Sequence, residues 1–501
     1  MRVLRNSLFN LAGGVLPALV ALATVPFIVR GLGDSGYGLF TLVTSIVGYF
    51  ALLDINVTAG SVKYVSEYHA TGQKDRLNAT LSFGLLIYLG IGAVGAFILY
   101  AFSGSLVRHV FSVPADLENM AENCLRIGAL GFLLGQVQTY LQSVPQALMR
   151  YDVSSRFEAG FGMLIPLLTV GLLVLGFGLI EIIVLRVLAS ALNCVLLWRS
   201  IRCLLPEYRP TLAVKNIAGQ LLTFSGYSFL SRVAALTYAH SDKLIIGALI
   251  GMKELAYYTV AATLANRILG MSFRLSGVLF PAASALAAYG RIDELRALYL
   301  KSSRYVVFLN ASILVFIAAF AYPLLYYWIG ADFAEKGAVV LAVVACAQFV
   351  DSMTNIPSLV NDGLGHPRVS GGFAISRAVI GLLAVYLGVS EFGIVGAAGG
   401  HLGSAALMTA AFLVYVHGRT VPCRLSDLLK RSYSLPFAGV LVLAALTGVS
   451  AQYTGLRPMH LLLVASVYGC LLIAFGYRFV LSVEDRINLH SRVRRLTSSR
   501  V

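Results

Sequence analysis

The chain has 501 residues, of which 58% are hydrophobic and only 12% charged, and its mean hydropathy is +0.81. A soluble fold covers its surface with roughly 25% charged residues, and a disordered chain needs low hydrophobicity with high charge; both classes are excluded, leaving a polytopic membrane protein. The net charge of +15 would suggest nucleic acid in a soluble protein, but in a membrane protein it reflects basic residues gathered in cytoplasmic loops, so no nucleic-acid partner is expected.

The N-terminal MRVLRNS opens like a signal peptide, yet the apolar run after it spans about 22 residues, beyond the 7–15 of an h-region, and no small-residue cleavage site follows. It reads as a retained first span. Apolar runs bounded by charge and turn residues then predict about 14 transmembrane helices, near 8–29, 37–60, 79–102, 120–148, 159–178, 180–199, 221–240, 254–280, 305–327, 337–358, 369–388, 393–416, 434–452 and 460–481. With the N-terminus inside, the inner loops and tails hold 26 Lys/Arg; the outer loops hold six, namely Arg30, Arg108, Lys243, Lys253, Lys336 and Arg457. That bias predicts cytoplasmic N- and C-termini.

An internal repeat lies at an offset of 218 residues. It sets LGDSGYGLFT (32–41) on IGMKELAYYT (250–259), SEYHATGQKDRL (66–77) on SALAAYGRIDEL (284–295), and Arg150 on Arg368. With a three-residue deletion FGLIE (177–181) meets FGIVG (392–396). A unit of six spans, an even number, keeps both copies in one orientation, and such parallel repeats place a substrate site between them near the midplane. The expected fold is all-α: two parallel six-helix repeats and two extra C-terminal helices. The expected segments are an N-terminal lobe at 1–218, a C-terminal lobe at 219–433, the extra helices at 434–482 and a basic tail at 483–501.

Arg126, Arg186, Arg232, Arg267, Arg274 and Arg377 fall inside spans, where each costs about 2.5–3.5 kcal/mol unless it faces a cavity or a partner. Arg267 and Arg274 are seven residues apart, on one face of helix 8. The deep carboxylates are fewer: Asp54, Asp351 and Asp242 at the exit of helix 7. An arginine-rich interior offers planar donor forks to phosphate oxygens, so Arg232, Arg267 and Arg274 are candidate diphosphate contacts, with Asp54, Asp351 and Arg377 as gating or coupling groups. The bland alternative is that the arginines pair with Asp54 or Asp351 and do no more than hold helices together. Six cysteines form no CxxC pair and eight histidines form no HExxH, so no metal site and no catalytic residue is expected.

RGLGDSGYGLF after helix 1, LLDINVTAGSVKYVSEYHATGQKDRL around the helix 2–3 loop, SDKLIIGALIGMKELAYYTVA between helices 7 and 8, and FGIVGAAGGHLGSAAL in helix 12 resemble bacterial polysaccharide transporters. These are the O-antigen and exopolysaccharide flippases of the multidrug/oligosaccharidyl-lipid/polysaccharide superfamily. Asp54-Ile55-Asn56 departs from the DLG common in the family. The resemblance implies a MATE-like, two-lobed flippase of the inner membrane. It would move undecaprenyl-diphosphate-linked oligosaccharide by alternating access, with the bilayer and a polysaccharide polymerase or export complex as partners. No cofactor is implied, and coupling to protons, sodium or the membrane potential stays open. Competing readings are a cation-coupled multidrug exporter and a lipid II flippase of the same superfamily. A membrane polymerase or ligase fits poorly, because the outer loops are too short for an external active site.

Overall fold

The computed structural model describes residues 2–53, 57–211, 233–234, 236–276, 279–454 and 458–487. Among them the secondary structure is helical, with no strand. This follows from the hydropathy: in lipid each backbone N–H and C=O must be satisfied within the protein, and a helix does so within one segment. Large apolar side chains point outward as freely as inward. Phe97, Leu188, Leu383 and Leu462 are exposed, a pattern stable only where the surrounding solvent is hydrocarbon.

In chain order the helices are α1 (Arg2–Tyr49), α2 (Val57–Ala70), α3 (Lys74–Ser105), α4 (Glu118–Ala147), α5 (Tyr151–Val174), α6 (Leu179–Leu204), α7 (236–249), α8 (Met252–Ser276), α9 (Leu279–Ala288) and α10 (Ile292–Ala319). They continue as α11 (Ala321–Trp328), α12 (Ala331–Ser352), α13 (Asn355–Gly363), α14 (Pro367–Arg419), α15 (Leu425–Leu428), α16 (Ser434–Thr454) and α17 (Pro458–Phe475). Nine stretches among the described residues are long and apolar enough to cross a membrane. Two helices exceed one crossing. At 1.5 Å per residue the 53 residues of α14 would run about 80 Å against a hydrocarbon core of about 30 Å. Gly393 breaks α14, and Gly33 breaks α1, so each is two helical limbs, as the paired runs 8–29/37–60 and 369–388/393–416 require.

The chain forms two compact units, one of residues 1–260 with 378–397, the other of 261–377 with 398–501. In the first, α4 packs between α3 and α6, and α1 lies along α5. Its core is built on Tyr88, Tyr140, Leu141, Leu197 and Ile201, with Tyr88 stacked on Tyr140 at 5.3 Å. The Tyr140 hydroxyl donates to the Leu81 carbonyl at 3.0 Å. The second limb of α1 meets the start of α8 so closely that a methyl at Gly38 would run into the Met252 carbonyl oxygen; only glycine fits. In the second unit α10 packs on α12 and α16, and α17 on α16. Beyond α17, the Ser482 N–H donates to the Tyr305 hydroxyl at 3.0 Å, and Asp485 accepts from Lys301 at 2.8 Å, from the Ser482 hydroxyl at 2.7 Å and from Tyr305. The segment after α17 is thereby clasped to α10.

The repeat is visible in backbone geometry. The turn from α2 to α3 bonds Gly72 to His69, Gln73 to Tyr68, Lys74 to Gly72 and Leu77 to Gln73; the turn from α9 to α10 bonds Gly290 to Ala287, Arg291 to Leu286, Ile292 to Gly290 and Leu295 to Arg291. Each pair differs by the 218 residues seen in the sequence. Gly72 and Gly290 sit at φ 69° and 68°, the left-handed region that a side chain disfavours. The α4–α5 and α13–α14 turns also match bond for bond, but at an offset of 216: Leu148, Met149 and Arg150 take the places of Leu364, Gly365 and His366. Arg150 is therefore equivalent to His366, not to Arg368 as the ungapped repeat expects. Two residues are lost between the turns, in helices whose apolar sequence carries no marker of the deletion.

Candidate functional site

Asp351, in the last turn of α12, and Arg377, in the third turn of α14, form a two-pronged ion pair in which the guanidinium spans both carboxylate oxygens. Their side chains are 9% and 18% exposed. A lone charge at such a depth would cost several kcal/mol, and pairing compensates. Arg377, Thr354, Ser358, Ser370 and Thr409 line a small polar cavity of about 160 Å³. Of the residues foreseen from sequence, these two are brought together.

Arg267 and Arg274 lie two turns apart on the continuous helix α8, on one face as their spacing requires; their side chains lie outside the described residues. So do Arg232 and Asp54 altogether. Asp242 engages neighbours in α7 and α8: it accepts from the Tyr258 hydroxyl at 2.9 Å and lies 3.8 Å from Lys243. The adjacent Tyr257 donates to Asp34 at 3.0 Å, with Lys253 at 4.0 Å. Of the remaining arginines, Arg126 pairs with Glu122 and Arg186 lies over the Phe40 ring at 4.8 Å, a cation–π contact.

A second polar cavity, of about 510 Å³, was not foreseen. Thr58 and Val62 of α2 and Gln138, Thr139, Gln142, Ser143 and Gln146 of α4 line it. The spacing of the glutamines was the available signal: positions i, i+4 and i+8 fall on one face of a helix. Gln142 Nε2 donates to the carbonyl and hydroxyl of Ser154, at 2.7 and 2.9 Å, and Gln146 Nε2 to the same hydroxyl at 3.0 Å. Among the described residues no group of three or more His, Cys, Asp or Glu could hold a metal.

Apolar helices in a repeated pattern, with a cavity lined by polar side chains in each unit, define a multi-pass membrane protein with a transporter fold. The same fold is found in the lipid II flippase MurJ in an inward closed conformation (TM-score 0.68, 12% identity, 92% of this chain and 100% of that one). It is also found in an inward-facing MATE family multidrug resistance transporter of the MOP superfamily (TM-score 0.65, 16% identity, 85% and 96%). Residues 27–337 match the family model described as polysaccharide biosynthesis protein, and the chain belongs to that family. It is similar to a Shigella flexneri protein named "Putative O-antigen transporter", with 22% identity over 407 residues, 79% of this chain and 94% of that one. It is likewise similar to the Bacillus subtilis protein named "Uncharacterized membrane protein EpsK", with 22% identity over 342 residues and 66% of each chain.

Proposed function

We propose that the protein is a flippase that carries undecaprenyl-diphosphate-linked oligosaccharide across the bacterial inner membrane for surface polysaccharide synthesis. The observation that carries this reading is membership of a polysaccharide biosynthesis family on a transporter fold. Alternating access between the repeat-related lobes, 1–218 and 219–433, would present one site to each leaflet in turn, with both chain termini in the cytoplasm. The excess of span arginines over span carboxylates supports an anionic head group, and Arg232, Arg267 and Arg274 are assigned to the diphosphate. Asp351 and Arg377 are assigned to coupling: an ion pair buried in one conformation is a two-state element that a proton or a conformational change can open. The Shigella flexneri relative named "Putative O-antigen transporter" supports the substrate class through its name.

The test is deletion of the gene in its host, followed by extraction of lipid-linked intermediates. The expected result is loss of surface polysaccharide with accumulation of a diphosphate-linked repeat unit in the cytoplasmic leaflet. Unchanged polysaccharide with new drug sensitivity would replace this reading by the multidrug exporter, and loss of viability with accumulated lipid II by the cell-wall flippase. In the complemented strain, Arg232→Ala, Arg267→Ala and Arg274→Ala together should abolish export; full export would remove the arginine assignment.

A further inference from the structure

We propose that the glutamine row of α4 is a sugar-binding site, which reads hydroxyl groups of a neutral saccharide. This rests on the flippase reading and adds to it the residues that meet the sugars. Three primary amides stand in line on one face of α4, and any amide atom among them that is buried needs a partner, because a buried polar group without a hydrogen bond costs free energy. Ser154 supplies only part of that need. Its carbonyl can only accept, so the Gln142 amide nitrogen must face it, and this fixes Oε1 on the opposite side. That Oε1 is buried and has no hydrogen-bond partner. Gln138 makes no hydrogen bond to any described residue, although it lines the same cavity. The Thr139 and Ser143 hydroxyl protons are spent on backbone carbonyls of α4, at 2.9 and 2.7 Å, which leaves their oxygens as acceptors.

The second repeat serves as a comparison within the molecule. At the offset of 216, Ser154 corresponds to Ser370, and Gln138, Gln142 and Gln146 correspond to Thr354, Ser358 and Asp362. Ser370 accepts from the Ser358 hydroxyl at 3.3 Å and the Asn361 amide at 3.0 Å, and donates to Asp362 at 2.6 Å. The interhelical bridge is thus made there without a single glutamine, and the cavity beside it is about 160 Å³ rather than about 510 Å³. The one amide that joins that bridge, Asn361, does not line the cavity; the α4 cavity is lined by three and is larger. The chemistry of the lining selects the ligand. It carries no charged group, so it gives an anion no electrostatic preference. Amides and hydroxyls offer planar donor–acceptor sets that match adjacent hydroxyls on a sugar ring. The volume lies within the roughly 300–1,000 Å³ of small-molecule sites.

The experiment uses the full-length protein in lipid nanodiscs. The probe is the free oligosaccharide released by mild acid from the host's lipid-linked pool, and equilibrium binding is measured beside thermal unfolding. Gln138→Leu should weaken binding about tenfold, the worth of one or two lost hydrogen bonds, and leave the unliganded melting temperature unchanged, since Gln138 bonds nothing inside the protein. Gln138→Asn should recover part of the affinity, and Thr58→Val should weaken it in the same direction. Equal binding by wild type and Gln138→Leu, or binding by neither, overturns the proposal. So does a defect in binding inorganic pyrophosphate rather than the oligosaccharide. Export in the deletion host separates the two readings. If wild type binds the sugar yet fails to restore polysaccharide, the flippase reading falls and the sugar site stands. If wild type restores it while Gln138→Leu matches it in both binding and export, only the site falls.

Discussion

At the scale of single residues the Asp351–Arg377 pair is the clearest energetic commitment in the second unit. Two charges taken out of water attract strongly, but they have also lost their hydration, so the pair adds little net stability while either partner alone is a liability. Arg377→Ala or Asp351→Ala should each lower stability by about 3–5 kcal/mol, and the double replacement Asp351→Leu with Arg377→Met should regain most of it. Thermal unfolding of the purified variants checks this. If the pair serves coupling, the double variant will be stable and still fail to export, which a purely structural pair would not produce. The sequence offered Asp351 as a partner for the span arginines without singling out Arg377, because the two lie 26 positions apart across α13, and nothing in hydropathy says which faces a turn brings together. The glutamines were less legible still. An uncharged amide barely perturbs an apolar run, and its spacing stands out only against a helix already drawn.

At the scale of elements, the clasp after α17 ties the C-terminal segment to α10. Hydrogen bonds from Lys301, Tyr305 and Ser482 hold the Asp485 carboxyl down at about 2, below its ordinary value of 3.8. A carboxylate depressed in the folded state contributes stability above its unfolded pKa and loses it as pH falls through the folded one. Asp485→Asn should therefore be less stable than wild type at neutral pH, by less than about 1 kcal/mol for a partly exposed pair. The difference should stay constant down to about pH 4 and close by about pH 2, as followed by melting temperature in detergent across that range. Element boundaries were legible wherever charge or Gly interrupted the apolar runs. The turn at Gly72 and its copy at Gly290 were found from sequence because a left-handed backbone keeps glycine. The two-residue slip that pairs Arg150 with His366 was not, since one turn places Met149 at φ 56° where the other has Gly365, and no identity marks the equivalence.

At the scale of the whole molecule, the excess of basic residues on alternate loops carries a direct consequence. Cys203, exposed in the last turn of α6, stands between Arg202 and Arg209 in sequence and belongs on the cytoplasmic side if both termini do. In a variant with Cys346→Ala and Cys470→Ala, which removes the other exposed thiols, a membrane-impermeant maleimide should label inverted vesicles and spare intact cells; the opposite pattern would reverse the topology. The fold class was legible because 58% hydrophobic residues leave few alternatives. The break in α14 was legible too, since the predicted runs 369–388 and 393–416 meet at Gly393, where the helix bends. The matched turns of the two repeats have a practical consequence. A bench worker can make one substitution twice, at Gly72 and at Gly290, or at Ser154 and at Ser370, and compare two nearly identical frames inside one polypeptide. Whatever differs between such twins reports the ligand chemistry of each half, with expression, membrane and assay held in common.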